Sequence, residues 1–182
     1  MVLKEEQAKL FYGLWIPLLD YVNRKYQLFP KLYGMDTPEG LPMEEVNHIS
    51  SRLWDDTKII DDYLASERYT GMEENAEILR QWMNPVRGKF IVDRHLQKGS
   101  VLISVENEEV YIVKGIYSSW REMLSNMPLP HIVTVTLIPF QGVIIYDGTL
   151  LTNGVTLGKN LSDHCKEVYR NAKKEGRLHF EL

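Results

Sequence analysis

The sequence has little cysteine and no long apolar run. A single cysteine, Cys165, in 182 residues excludes an internal disulfide framework and any zinc site built on Cys-x-x-Cys pairs. No segment approaches the roughly 20 consecutive apolar residues that span a bilayer. The N-terminus lacks a signal-peptide pattern because Gly13, Pro17 and Asp20 interrupt its apolar part. These absences predict a cytoplasmic protein that folds without disulfides and has no membrane partner.

Charge of neither sign dominates the chain, whose formal net charge is −4. Residues 1–85 carry nine Lys or Arg against fifteen Asp or Glu, whereas residues 86–182 carry twelve against ten. This balance is far from the basic stripe of a typical nucleic-acid-binding domain. Charge alone therefore argues little for a nucleic-acid partner, and a protein partner or a homo-oligomer is the alternative expectation.

Hydrophobic periodicity changes near Pro85. Before it, apolar residues recur at helical spacing over about residues 5–27, 43–66 and 74–83, which predicts three helices. After it, "GKFIVDRHL", "SVLISV" and "EVYIVKGI" predict three strands joined as hairpins, and "HIVTVTL" and "VIIY" predict two more. A capping-box pattern in "SSWREMLSN" predicts a short inserted helix.

The fold predicted from these patterns is α+β. A helical region over residues 1–85, with three helices, precedes a β-rich region over residues 86–182. The β-rich region is expected to be a bent antiparallel sheet or a small β-barrel, with the inserted short helix and a C-terminal helix from about Leu161 to Lys174. The two regions are either separate domains or parts of one compact domain.

The stretch "TLIPFQGVIIYDGTLLTNG", residues 136–154, contains glycines of the kind found in ligand-binding loops. We interpret it instead as structural scaffold, in which the glycines serve turns between strands. The chain is expected to turn at Gln141 and Gly142 before "VIIY". Asp147-Gly148 and Asn153-Gly154 are the pairs favoured in two-residue hairpin turns. A phosphate-cradling loop needs a spacing such as Gly-x-x-x-x-Gly-Lys before a helix, and this stretch does not supply it.

The strand segment "FIVDRHL" carries charged side chains on both of its faces, with Asp93 and His95 on one and Arg94 on the other. In one interpretation these charges protect an exposed edge strand from aggregation. In the other, Arg94, His95 and Lys98 contact a phosphate or an acidic partner, or Asp93 and His95 form an acid-base pair. The candidate site residues are therefore Asp93, Arg94, His95, Lys98, Tyr146 and Asp147.

The C-terminal helix carries a cysteine and a basic patch. Cys165 falls on the apolar stripe of this helix, which favours a small buried side chain over a nucleophile. The patch of Lys166, Arg170, Lys173 and Lys174 is largely explained by the helix dipole, since cations favour the last turns. Nucleic-acid binding is the alternative interpretation of the patch. No metal or cofactor is expected.

Three segments, "GKFIVDRHLQKGSVLISV", "VYIVKGIYSSWREML" and "PLPHIVTVTLIPFQGVIIYDG", resemble a group of uncharacterised bacterial proteins. These proteins have a helical N-terminal part before a β-rich part, and the similarity covers about residues 88–151. The resemblance implies a boundary near Pro85 and draws attention to Arg94 and His95, but it implies no activity, cofactor or substrate. Some of these proteins carry a cysteine-rich zinc-binding tail, for which this chain has no counterpart.

The sequence thus predicts a non-catalytic binding module for protein or nucleic acid. One alternative is an enzyme of unknown class, with Asp93 and His95 in a cleft between the helices and the sheet. The other is a self-associating structural protein, for which Trp15, Trp54 and Ile59 are expected to offer apolar surface.

Overall fold

A computed structural model describes residues 1–37, 40–156 and 158–182 of the chain. Within these residues the chain forms six α-helices and seven strands, which makes it an α+β protein as predicted. The helices are α1 (Glu5–Tyr26), α2 (Met43–Asp55), α3 (Ile59–Leu64), α4 (Glu73–Gln81), α5 (Trp120–Met123) and α6 (Lys159–Glu175). The strands are β1 (Val86–His95), β2 (Ser100–Ser104), β3 (Val110–Lys114), β4 (His131–Phe140), β5 (Val143–Tyr146), β6 (Leu151–Thr156) and β7 (Leu178–His179).

Backbone contacts divide the chain into two compact units. One unit is Lys4–Pro85, and the other combines Met1–Leu3 with Val86–Leu182. The described part of Lys4–Pro85 contains four α-helices rather than three, because the stripe over residues 43–66 is broken between α2 and α3. Asp56 has φ −146° and ψ 82°, outside the helical region, and the next residue, Thr57, donates a 2.9 Å hydrogen bond from Oγ1 to the carbonyl of Met83.

Three tryptophan side chains pack together in the core of the helical unit. Trp15 stacks on Trp54, with 5.5 Å between the ring centroids, and it meets Trp82 edge-on. Trp15, Trp54 and Ile59 are 3%, 5% and 1% exposed. The expectation that these three residues supply apolar surface for self-association is therefore wrong, because helical packing buries them.

The strands of the second unit close into a small barrel. β1 pairs with β2, β2 with β3, β3 with β5, β5 with β4, and β4 pairs back with β1. The order β4-β1-β2-β3 is a Greek key, in which the fourth strand returns by a long connection to lie beside the first. Of the two predicted forms, the barrel is confirmed. The sheet is mixed rather than purely antiparallel, because β3 runs parallel to both β5 and β7.

The short inserted helix α5 lies in the connection from β3 to β4, and its capping box is confirmed. The backbone N–H of Glu122 donates to Ser119 Oγ at 3.3 Å, and the backbone N–H of Ser119 donates to Glu122 Oε2 at 2.7 Å. These bonds satisfy N–H groups that the first turn of a helix leaves without partners.

The turns of the 136–154 stretch agree with the prediction at one pair of residues and differ at two. The chain turns at Gln141 and Gly142, between β4 and β5, as predicted, and both residues have positive φ. Asp147-Gly148 is not a hairpin, because β5 and β6 both pair antiparallel with β4 and so run in the same direction. Asn153-Gly154 lies inside β6, where the pairing with β4 shifts register, rather than at a turn.

Helix α6 packs across β1, β2 and β3 through a buried apolar cluster. The cluster combines Ile91, Val101, Ile103, Val110 and Ile112 of the strands with Cys165, Tyr169 and Ala172 of α6. Cys165 is 1% exposed, which confirms its prediction as a buried hydrophobic side chain. None of the described helices combines the length and apolarity needed to cross a bilayer.

Candidate anion-binding site

A cavity of about 520 Å³ lies between the end of β1 and helix α6, within the barrel unit. This volume is within the range of about 300–1,000 Å³ that is usual for ligand sites. β1 contributes Asp93 and Arg94 to its wall, and the segment before β4 contributes Leu129 and Pro130. The remaining wall is one face of α6.

A β-bulge brings Asp93 and Arg94 to the cavity. Register between β1 and β2 shifts between Val92 and Arg94, so Asp93 is the extra residue. Because of this shift Arg94 lies opposite Val101, a member of the cluster under α6. β1 is not the exposed edge strand that one interpretation expected, since β4 pairs with it from Val86 to Val92. Only residues 93–95 extend beyond that pairing.

Arg94 is held in place from two directions. Its Nε donates to Oδ2 of Asp93, whose side chain is 3% exposed. Its Cζ lies 4.4 Å from the ring centroid of Tyr169, as in a cation-π contact. The two Nη groups of Arg94 donate to no other described residue, so they stay available as a planar pair of donors.

The α6 wall of the cavity is a polar stripe along about 16 Å of helix, at 1.5 Å per residue. Its residues fall on one face and are Ser162, Lys166, Tyr169, Arg170 and Lys173. Lys166 pairs with Asp163 at 2.8 Å. Arg170 and Lys173 are exposed and form no ion pair with any residue that the structure describes. The cavity therefore combines two unpaired cations with the prearranged guanidinium of Arg94.

His95 lies beside this cavity in sequence but has a separate environment. Its Nδ1 is 2.8 Å from Oγ of Ser100, the residue opposite it on β2. Burial lowers the pKa of His95, and the positive charges of Arg121 and the N-terminal ammonium lower it further. Since the carboxylate of Asp93 binds Arg94, the two members of the predicted acid-base pair have different partners.

The other three predicted residues do not line the cavity. Lys98 lies at a separate hollow, with its Nζ 5.8 Å from the ring centroid of Phe180. The hydroxyl of Tyr146 donates to Sδ of Met123 at 3.3 Å. Asp147 is fully buried, and its Oδ1 accepts from the backbone N–H and the hydroxyl of Thr149 at 2.9 and 2.8 Å. Tyr146 and Asp147 therefore support the barrel.

The cavity also contains Tyr169, Arg170 and Lys173, which were not among the predicted site residues. The sequence carried a signal for two of them, because Lys166, Arg170 and Lys173 recur at spacings that place cations on one helix face. The helix dipole explained that pattern adequately on its own. Only the packing of α6 on β1 brings these cations to Arg94.

The described part of the chain places no group of three or more His, Cys, Asp or Glu residues where it could hold a metal ion. No family model matches the chain, and neither a curated protein nor a solved structure matches it. The geometry and charge of the cavity are therefore the features that indicate a function.

Proposed function

We propose that the protein is a non-catalytic binding module for single-stranded nucleic acid, and that the cavity between β1 and α6 receives the strand. The observation that carries this proposal is the presence of two exposed, unpaired cations, Arg170 and Lys173, beside the oriented guanidinium of Arg94. Such cations bind phosphate without first giving up a partner in the protein.

Local charge favours the strand even though the whole chain is acidic. Phosphate contacts supply most of the affinity of non-specific nucleic-acid binding, and they act within a Debye length of about 8 Å at physiological salt. The net charge of −4 belongs to the whole chain, and the acidic excess is in residues 1–85. At the cavity, by contrast, a ligand would contact the cations of α6.

Arg94 adds a contact that a bare cation cannot make. One face of its guanidinium covers the ring of Tyr169, and 37% of its side chain remains exposed. Arginine planes stack on nucleobases as aromatic rings do, and stacking on such platforms tolerates any base. A nucleobase on the exposed face of Arg94, with its phosphate near Arg170, would use both features together.

The architecture supports the same proposal by analogy. Five-stranded Greek-key barrels include the folds that bind oligonucleotides and oligosaccharides on the face of strands 2 and 3. Here α6 covers that face through the cluster around Val101 and Ile112. We therefore place the strand in the cavity beside α6 rather than on that face, and the analogy concerns the fold alone.

The test measures, by fluorescence anisotropy, the binding of the full chain to a labelled single-stranded oligonucleotide of about 12 nucleotides. We expect affinity to fall steeply as salt rises from about 50 to 200 mM. The double substitution Arg170→Gln with Lys173→Gln should weaken binding about tenfold and reduce the salt slope by about 0.7 for each phosphate that the protein no longer neutralises.

Lys174→Gln is the matched control, because Lys174 is an exposed cation in the last turn of α6 that does not line the cavity. It should leave binding nearly unchanged. Equal losses in the control and the double variant would contradict the proposed site. Absence of binding at low salt, or equal competition by polyglutamate, would contradict the proposed function and favour an acidic protein partner.

A further inference from the structure

The charges around the cavity divide into paired and unpaired groups. Asp93 neutralises Arg94, and Asp163 neutralises Lys166. Arg170 and Lys173 remain without a carboxylate among the described residues. Asp93 also lines the cavity and its carboxylate is bonded to Arg94, so a ligand anion interacts with the unpaired cations of α6 instead. Two positive charges are therefore available there.

Two unpaired positive charges favour a phosphomonoester over a phosphodiester. A phosphodiester inside a strand carries one negative charge, whereas a terminal phosphomonoester carries about −1.5 to −2 at pH 7 and offers three strong acceptor oxygens. The two unpaired cations match the charge of the monoester.

The rest of the cavity wall is suited to an uncharged group. Leu129 and Pro130 provide apolar surface, and Ser162, at the other end of the α6 stripe from Lys173, provides a hydroxyl group. A planar ring between these residues and the exposed face of Arg94 would have its phosphate directed along α6. At about 520 Å³, the cavity has the size of a site for a single small ligand or one terminal residue.

We infer that the cavity recognises a terminal phosphomonoester attached to a nucleoside, so that the protein prefers strands with a phosphorylated end. This inference rests on the proposed function and makes it more specific. The same chemistry occurs at the end of a strand and in a free nucleoside monophosphate, and the experiment separates the two sources.

The experiment uses the full chain and an internally labelled, unphosphorylated reporter oligonucleotide. Unlabelled competitors of identical sequence carry a 5′-phosphate, a 3′-phosphate or no terminal phosphate. We expect at least one phosphorylated competitor to bind about tenfold more tightly than the unphosphorylated one, the effect of one good charge-assisted contact. The preference should shrink as pH falls from about 7.5 to 5.5, because the second pKa of the phosphate is near 6.

Three variants and two small ligands complete the design. Arg170→Gln and Lys173→Gln should each reduce the preference for the phosphorylated end, whereas Lys174→Gln should retain it. These residues are exposed on α6, so the variants are expected to fold, which circular dichroism checks. A nucleoside 5′-monophosphate and the parent nucleoside are tested as competitors against the same reporter.

Each outcome has one meaning. Equal affinity for phosphorylated and unphosphorylated strands overturns this inference and leaves the proposed function standing. A preference that survives in both Gln variants overturns the assignment to this cavity. If no oligonucleotide binds, the monophosphate and the nucleoside are compared in direct binding assays. Binding of the monophosphate alone then overturns the proposed function and supports a phosphomonoester site whose ligand is a free nucleotide.

Discussion

The guanidinium of Arg94 lies over the ring of Tyr169, with its Cζ atom 4.4 Å from the ring centroid. Arg94 belongs to β1 and Tyr169 to α6, so this contact joins the bulged end of the strand to the helix that covers it. Asp93 holds the Nε of the same guanidinium. The orientation of Arg94 therefore depends on the docking of α6.

Tyr169→Leu should weaken binding of single-stranded nucleic acid, because Leu has no ring face to orient the guanidinium. A cation-π contact of partly exposed groups contributes about 0.5–2 kcal/mol, which corresponds to roughly 2- to 30-fold in Kd. Tyr169→Phe keeps the ring face and should bind as the wild type does. Fluorescence anisotropy with one oligonucleotide compares the three proteins. Equal weakening in the Phe variant would show that the hydroxyl, rather than the ring, makes the contact.

His131→Leu should raise the free energy of unfolding by about 1 kcal/mol. His131 lies on β4, opposite Val92, and is 3% exposed, and neither ring nitrogen has a hydrogen-bond partner among the described residues. A buried polar atom without a partner destabilises the folded state, and Leu removes that cost at similar volume.

Urea unfolding monitored by circular dichroism measures the effect of His131→Leu. His131→Gln is the control, since it keeps polar atoms at the site and should give no gain. A loss of stability in the Leu variant would mean that the imidazole has a hydrogen-bond partner in solution.

The same substitution should have opposite effects at two glycines. Gly142 has φ +73° in the turn between β4 and β5, so Gly142→Ala should destabilise the fold by about 1–2 kcal/mol. Gly13 lies in the interior of α1, where an added Cβ meets nothing within 4 Å. Gly13→Ala should therefore stabilise by about 0.5–1 kcal/mol. Thermal unfolding of both variants tests the pair, and a shift of the same sign in both would refute this explanation.

Acid should destabilise the wild type more than His95→Asn. Burial, Arg121 and the N-terminal ammonium lower the pKa of His95 in the folded state below its ordinary value near 6.5. Between those two pKa values the unfolded chain binds more protons, so this contribution to stability is complete above about pH 6.5 and declines as pH falls below it.

Urea unfolding at about pH 7.5 and pH 5.5 measures this dependence on both sides of the ordinary pKa of histidine. The drop in the free energy of unfolding should be smaller for His95→Asn than for the wild type. His95 also contacts Ser100, so the variant is expected to be less stable at both pH values. An identical drop in the two proteins would show that His95 does not titrate differently on folding.

Local sequence patterns were sufficient to predict most of the secondary structure. Helix α6, predicted from about Leu161 to Lys174, spans Lys159–Glu175, and the capping box at Ser119 forms as its spacing indicates. The hairpins from β1 to β3 also follow the alternation of apolar residues. These features depend on side chains within a few residues of one another, so a single sequence contains the necessary information.

Features that depend on distant residues were not predicted. The helix break at Asp56 accompanies a hydrogen bond from Thr57 to Met83. Whether Asp147-Gly148 and Asn153-Gly154 form turns depends on how the following residues pair with β4. Asp147-Gly148 has a favoured turn sequence, yet β6 continues along β4 after β5 instead of reversing direction. Pairing partners of this kind are set by the whole sheet.

The candidate site shows the same division. The sequence by itself determined that Asp93 and Arg94 are unusual charges in a strand and that α6 carries cations on one face. Only the tertiary structure decided that these features meet, because a bulge in β1 redirects Arg94 and a buried apolar cluster docks α6 above it. Apolar burial has no directional preference of its own, so the sequence pattern showed that α6 must pack but not which charges its packing would bring together.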